Sequence, residues 1–221
     1  MQVITRNKVV PNLRFGNFDG EWEVKPINDV CKLKAGKFVS ASKISKEQES
    51  GLFSCYGGNG LRGFTRTYTH EGSYSLIGRQ GALCGNVKFV SGKFHATEHA
   101  IVVIPTNINN PHWLYYQLDR LNLNRYATGQ AQPGLSVNVI EKVKASFPSL
   151  SEQKKIASFL SAVDDKLQQL NKKKEFDESV ERNPGFGAAV LRFAGQAGAA
   201  TAAASGTGTA ATLGAIAAPV A

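Results

Sequence analysis

The clearest pattern in the chain is a run of apolar residues at helical spacing over residues 151–175, with Lys, Gln and Asp between them. Pro148 precedes this run, and Ser151 can cap its first turn, so the pattern predicts a helix. Its apolar positions recur every seven residues, which favours pairing with a second helix. An amphipathic helix packed on its own domain is the alternative, since the run is short. The predicted dimerisation residues are Ile156, Phe159, Leu160, Val163, Leu167 and Leu170.

The preceding part of the chain mixes two kinds of pattern. Short apolar runs at residues 74–77, 86–90 and 100–104 are bounded by Gly- and Asn-rich stretches, which is typical of strands. Residues 111–121 place apolar side chains three and four apart, which predicts a helix. We therefore expect residues 1–150 to form an α+β domain that contains a mixed sheet.

The composition changes after Glu175, where Lys, Asn, Ile and aromatic residues give way to Ala, Gly and Thr. Such a segment buries too little apolar surface to offset the entropy lost on ordering. The sequence thus predicts three parts: a domain over 1–150, a coiled-coil-like helix over 151–175, and a low-complexity tail over 176–221. We expect the tail to be disordered or a non-native end.

Charge is distributed unevenly between these parts. The net charge is +9, and the residues after Glu175 carry two arginines against three acidic side chains, so residues 1–175 carry about +10. A basic body attracts phosphate-rich partners or anionic membranes and releases counterions on binding nucleic acid. Simple solubility is the alternative explanation of the same charge.

Cysteine usage and hydropathy bear on the compartment. Cys31, Cys55 and Cys84 are odd in number and form no CxxC motif, so we expect reduced, partly buried thiols in the cytoplasm. Charged and polar residues interrupt the N-terminus where a signal peptide would be apolar. No segment has the continuous apolar run that a membrane span needs, so no membrane partner is expected.

Several stretches, taken in order, resemble the specificity subunit of type I restriction–modification systems. They are a lead-in segment, two Gly-rich stretches, a strand, a Gly/Pro loop and the start of a long helix. No single stretch is specific to this family, but the ordered series, which ends in the EQKKIA helix, is fairly specific to it. The matching ranges are 11–25, 56–63, 75–85, 94–103, 129–135, 148–160 and 163–166.

This resemblance implies a function without catalysis. Specificity subunits of the family carry two target-recognition domains, each of which reads half of a split site in double-stranded DNA. Two long antiparallel helices set the gap and dock the modification (methyltransferase) subunits of the restriction complex. By resemblance this chain is half of such a subunit, native or truncated, and could pair as a homodimer through its 151–175 helix.

The side chains suited to DNA contact lie mostly in the Gly-rich stretches. Arginine reads guanine and Asn or Gln reads adenine through paired hydrogen bonds, while Gly-rich backbone approaches phosphates closely. Arg79 and Gln80, between two glycines after a strand, are the first candidates; an ordinary polar hairpin tip is the alternative. The further candidates are Asn59, Arg62, Arg66, Gln130 and Gln132 for bases or phosphates, and Lys37 and Lys43 for phosphates.

The chemistry of a metal site or an enzyme is not expected. His95 and His99 lie four residues apart but in a strand-like setting, which disfavours a helical zinc pair. No nucleophile elbow or phosphate-cradling GxxxxGK[ST] loop occurs, so neither catalytic residues nor a cofactor are predicted. Two alternatives remain: a DNA methyltransferase fragment that uses the NPGF turn at 183–186, and a basic RNA-binding or structural module.

Overall fold

The computed structural model describes residues 8–9, 11–129 and 133–182. The chain divides into two units, Met1–Ser161 and Ala162–Ala221. Two β-sheets and two short helices form the described part of the first unit, and a long helix begins there and supplies the described part of the second. Within the described residues, no helix is both long and apolar enough to cross a bilayer.

The smaller sheet brings the two ends of the first unit together. Its strands are β1 (Lys8–Val9), β2 (Trp22–Pro26) and β9 (Lys144–Phe147), all antiparallel, with β2 in the centre. The rings of Trp22 and Trp113 meet edge to face with centroids 5.4 Å apart, which ties this sheet to a helix of the same unit.

The larger sheet has six strands in the order β3-β8-β6-β7-β4-β5. Neighbouring strands are antiparallel except β4 and β7, which run parallel. The strands are β3 (Cys31–Ala35), β4 (Phe53–Gly57), β5 (Gly60–Thr65), β6 (His70–Gly78), β7 (Val87–Ala96) and β8 (Ala100–Pro105).

Side-chain alternation along these strands separates two apolar clusters. Ile77, Ile101 and Val103 pack in the main core with α1 (Pro111–Arg120) and α2 (Val137–Glu141). Leu76 and Val102, one residue out of step, belong to a smaller cluster, because successive side chains of a strand point to opposite faces. The predicted strands and the 111–121 helix are present, and the α+β class is confirmed.

The long helix α3 (Leu150–Arg182) runs seven residues past the end predicted from composition. Residues 176–182 include the good helix formers Glu178, Glu181 and Arg182, and Glu178 pairs with both Lys174 and Arg182 at helical spacing. The local composition there differs from the Ala/Gly/Thr-rich part that follows, so the predicted start of the tail at 176 was too early. Residues 183–221 lie outside the described residues.

The start of α3 also differs from the prediction. Ser149, not Ser151, provides the cap, since the hydroxyl of Ser149 accepts a hydrogen bond from the backbone N–H of Glu152 at 3.4 Å. Gln153 is buried and its side chain bonds to Asn109 and to the carbonyl of Pro148. The first turn is therefore fixed by buried polar side chains as well as by apolar contacts.

The predicted dimerisation residues fall into two groups. Ile156 is half-buried and packs against the main core of its own domain, as the alternative of a helix packed on its own domain expects for this turn. Leu160 is half-buried, and the ring of Phe159 meets that of Phe15 edge to face at 5.8 Å. Further along, Val163, Leu167 and Leu170 are 40%, 52% and 51% exposed.

Candidate nucleic-acid interface

Two Gly-rich turns meet at one end of the large sheet. The turn Gly58–Asn59 joins β4 to β5, and residues 78–81 follow β6. A Cβ on Gly78 would lie only 2.3 Å from the carbonyl oxygen of Gly58, and one on Gly58 would lie 3.5 Å from the carbonyl oxygen of Gln80. Glycine is therefore required at 78 so that the two backbones can approach this closely.

A third Gly-rich stretch joins the second of these turns through backbone hydrogen bonds. Gln80 and Gly134 form an antiparallel bridge. The N–H of Gly81 donates to the carbonyl of Pro133, and the N–H of Leu135 donates to the carbonyl of Arg79, each at 2.9 Å. The three Gly-rich stretches are distant in sequence, and the sequence analysis proposed them as separate candidates. In the structure they are neighbours.

The turn between β7 and β8 lies against the same place. The N–H of Thr97 donates to the carbonyl of Tyr56 at 2.8 Å, and the carbonyl of His99 accepts from the N–H of Arg79 at 2.9 Å. A Cβ on Gly58 would lie 3.1 Å from that same carbonyl of His99. We call the described parts of the three Gly-rich stretches (residues 57–60, 78–81, 128–129 and 133–135) and the turn 97–99 the loop cluster.

The loop cluster presents several of the predicted side chains. Asn59, Arg62 and Gln80 are exposed, and Arg79 is half-buried. Arg62 lies near the Gly58–Asn59 turn. Its Cδ is 2.8 Å from the position that a Cβ on Gly57 would take. Lys37 is close as well, since its backbone N–H donates to the carbonyl of Ala96 at 2.8 Å, just before the 97–99 turn.

Other predicted residues lie elsewhere or outside the description. Arg66 follows the far end of β5, six residues from Gly60 and so about 20 Å along the strand. Lys43 ends a short 3-10 turn, and the neighbouring Ser45 pairs with Phe64 on β5 rather than with the loop cluster. Gln130 and Gln132 lie outside the described residues.

Sequence reasoning missed two residues of this region. Lys88, on β7, is exposed, and its Cε lies 3.7 Å from the position that a Cβ on Gly60 would take. His99 was considered only as a metal ligand, although its place in a short polar turn between two strands could have marked it as a loop residue. Lys88 carried no local signal, since strands commonly expose lysines.

The electrostatics of the loop cluster combine one acid with several cations. Burial raises the pKa of the Cys55 thiol; the positive charge of Arg62 acts in the opposite direction and the carboxylate of Glu98 in the same direction. Both charges therefore lie within electrostatic range of Cys55 on β4. Glu98 pairs with the imidazole of His99, with 3.2 Å between Oε1 and Nε2.

The paired histidines of the sequence do not converge on a metal. His95 is 4% exposed, and its ring nitrogens lie 3.1 Å from the hydroxyl of Thr67 and 3.1 Å from the carbonyl of Lys37. Both nitrogens are thus occupied by the protein. Among the described residues no group of three or more His, Cys, Asp or Glu side chains could hold a metal ion.

The arrangement suits the recognition of a nucleic acid. Guanidinium and amide groups at loop tips can donate to and accept from base edges, and backbone without side chains can approach phosphates. Hydrogen bonds between the loops restrict their relative movement, which keeps these groups in a fixed pattern. The NPGF turn of the methyltransferase alternative, at 183–186, lies outside the described residues.

Comparison with known proteins identifies relatives of one kind. The family described as "Type I restriction modification DNA specificity domain" matches residues 19–177. The specificity subunit of the Escherichia coli type I restriction enzyme EcoprrI is 39% identical over 172 residues, which cover 77% of this chain and 43% of that protein. This chain thus spans less than half the length of that relative. The methyltransferase and RNA-binding alternatives find no support in these comparisons.

Solved structures show a similar fold. The S subunit of a type I restriction–modification system from M. genitalium aligns with a TM-score of 0.63 and 19% identity, over 74% of this chain and 44% of that one. A chain from a structure that describes complex assembly and conformational transition of the type I R-M system aligns with a TM-score of 0.57 and 16% identity, over 76% and 45%.

Proposed function

Because this chain belongs to the family of type I restriction modification DNA specificity domains, we propose that it recognises a short sequence in double-stranded DNA. The family that the ordered sequence stretches suggested is the one found. The observation that carries the proposal is the loop cluster, in which three Gly-rich stretches meet at one end of the large sheet. A reading surface needs donors and acceptors in a fixed arrangement, and backbone hydrogen bonds join residues 79–81 to the 133–135 stretch and to His99, while the Gly58 turn packs closely against Gly78.

In this proposal the residues divide by task. Arg79, Gln80 and Asn59 contact base edges in the major groove, where each base pair presents a distinct pattern of donors and acceptors. Arg62, Lys37 and Lys88 contact phosphates and fix the register of the protein on the duplex. Gln130 and Gln132, outside the described residues, remain predicted base contacts, and Pro133, the residue after Gln132, accepts a hydrogen bond from Gly81.

The remaining role of the chain is assembly. We propose that it is non-catalytic and directs modification and restriction subunits, which supply methylation and cleavage. The exposed apolar side chains of α3 at Val163, Leu167 and Leu170 would join a second recognition half, either another copy or a partner domain. Two copies about a two-fold axis would read a palindromic split site. This role places the chain in the cytoplasm.

A selection from random duplexes, with the modification subunits present, tests the reading role. We expect Arg79→Ala with Gln80→Ala to lose base preference while retaining salt-sensitive affinity for any duplex. Arg66→Ala is the matched control, since it removes an arginine that lies away from the loop cluster, and it should keep the preference.

Two outcomes would contradict the proposal. An unchanged base preference in the double variant would move the reading site away from Arg79 and Gln80. A wild-type chain with no salt-sensitive affinity for duplex DNA, with or without partner subunits, would overturn DNA recognition altogether. Tighter binding to single-stranded RNA, or binding of S-adenosylmethionine, would favour the two alternative functions.

A further inference from the structure

We propose that His99 is a further DNA contact of the loop cluster, that its imidazolium donates to a backbone phosphate, and that Glu98 positions it. The inference rests on the proposed function and adds a residue that neither the sequence pattern nor the comparisons assign. It implies that DNA affinity depends on pH near neutrality, because the charge of a histidine changes between about pH 5 and pH 8.

The backbone of His99 is fixed between two of the Gly-rich stretches. Its carbonyl accepts a hydrogen bond from Arg79, and the Gly58 turn lies directly beside that carbonyl. Thr97, at the start of the same turn, is tied to the end of β4 through the carbonyl of Tyr56. A duplex that contacts Asn59 and Arg79 therefore comes within reach of the His99 side chain, which is 45% exposed.

The carboxylate of Glu98 lies directly beside the His99 ring. The Oε1 atom of Glu98 lies 3.2 Å from Nε2 of His99, while Oε2 is buried with no hydrogen-bond partner in the described structure. A partly buried carboxylate beside a DNA-binding surface is unfavourable unless a cation compensates it. A protonated His99 provides such a cation, together with Arg62 nearby, and Glu98 then holds the ring through Nε2.

The second nitrogen of the ring remains for the ligand. Among the described residues Nδ1 of His99 has no hydrogen-bond partner, and an imidazolium donates from both nitrogens. Charged side chains of the elements packed against this turn include Arg62 on β5, Arg79 after β6 and Lys37 after β3, and the buried Cys55 thiol on β4 is a titratable group close to Glu98. The two arginines and the lysine are cations, which suits a phosphate as the shared ligand.

The other histidines do not meet these conditions. His95 is buried with both nitrogens occupied. His70 is half-buried, stacks on Phe94 and bonds to Thr69. His112 is exposed, but it lies on α1 with its ring 4.1 Å from that of Phe89. His112 is therefore the matched control: an exposed histidine outside the loop cluster.

Fluorescence anisotropy with a duplex carrying the selected site tests the inference, using the full chain with its modification subunits at pH 6 and pH 8. We expect wild type to bind about ten-fold more tightly at pH 6, as a charge-assisted hydrogen bond to phosphate would provide. His99→Gln should abolish this difference, Glu98→Gln should reduce it, and His112→Gln should retain it. Because phosphates carry no sequence information, His99→Gln should leave base preference unchanged and lower the salt slope by about one.

The two proposals fail in different ways. Sequence-specific binding with the same pH response in His99→Gln as in wild type, or with no pH response in wild type, would overturn the role of His99 and leave DNA recognition intact. Loss of base preference in His99→Gln would replace the phosphate contact with a base contact and so contradict it too. Absence of any duplex binding at either pH would instead overturn the proposed function.

Discussion

The guanidinium group of Arg14 donates two hydrogen bonds to the carboxylate of Glu152, at 2.7 Å and 2.6 Å. Glu152 is 1% exposed and belongs to the first turn of α3, whereas Arg14 precedes β2 near the other end of the first unit. The hydrogen bond to Glu152 is the main reason why the pKa of the Arg14 guanidinium is raised. The pair fixes the residues before β2 against the start of the helix.

Arg14→Ala should destabilise the domain. Its loss leaves the carboxylate of Glu152 buried without a partner, and an uncompensated carboxylate as buried as this one costs about 3 kcal/mol. Urea unfolding followed by tryptophan fluorescence measures the change. Replacing both partners by Met should restore most of the stability, since no buried charge then remains. An unchanged unfolding midpoint in Arg14→Ala would show that water already solvates Glu152.

His70 should make the stability of the domain depend on pH. Burial, followed by the positive charges of Lys37, His95 and Lys34, lowers the pKa of His70 below 6.5. The unfolded chain therefore binds this proton at a higher pH than the native state does. Stability should fall as pH drops below about 6.5 and level off once His70 is protonated in the native state as well.

Urea unfolding at pH 7.5 and pH 5.5 checks this, with His70→Asn as the variant because its amide can replace the hydrogen bond between Nδ1 of His70 and the hydroxyl of Thr69. We expect wild type to lose more stability between the two pH values than the variant does. Equal losses would mean that carboxylates account for the whole acid sensitivity.

The exposed apolar side chains of α3 should mediate association. Val163→Asp with Leu167→Asp places two charges where a coiled-coil partner would exclude water, and we expect self-association to weaken by at least about a hundred-fold. Sedimentation velocity measures it. Gln168→Asp with Gln169→Asp is the control, because it adds the same charge at polar positions of the same helix.

A wild-type chain that sediments as a monomer at all concentrations would refute the homodimer. Association only with a different recognition domain, and not with a second copy, would leave the α3 interface in place but make its partner another chain. Association that survives the paired Asp substitutions would place the interface on another surface.

Local patterns determined much of this protein. The strands at 74–77, 86–90 and 100–104 and the helix at 111–121 follow from alternation and helical spacing, because each pattern reflects which face of one element is buried. The heptad spacing of α3 was visible, and at Ile156 the structure shows contact with the chain's own core. An apolar residue at helical spacing indicates burial without saying whether its own domain or another chain covers it.

Tertiary structure alone decided which polar residues belong together. Arg62 and Arg66 are four residues apart, yet β5 carries Arg66 away from the turn that Arg62 adjoins. Gln80 and Gly134 are far apart in sequence and form a backbone bridge, and His99 meets Arg79 across two strands. Periodicity records the environment of a single element, whereas such contacts depend on strand order and on the close approach of backbones, and neither leaves a local pattern in the residues.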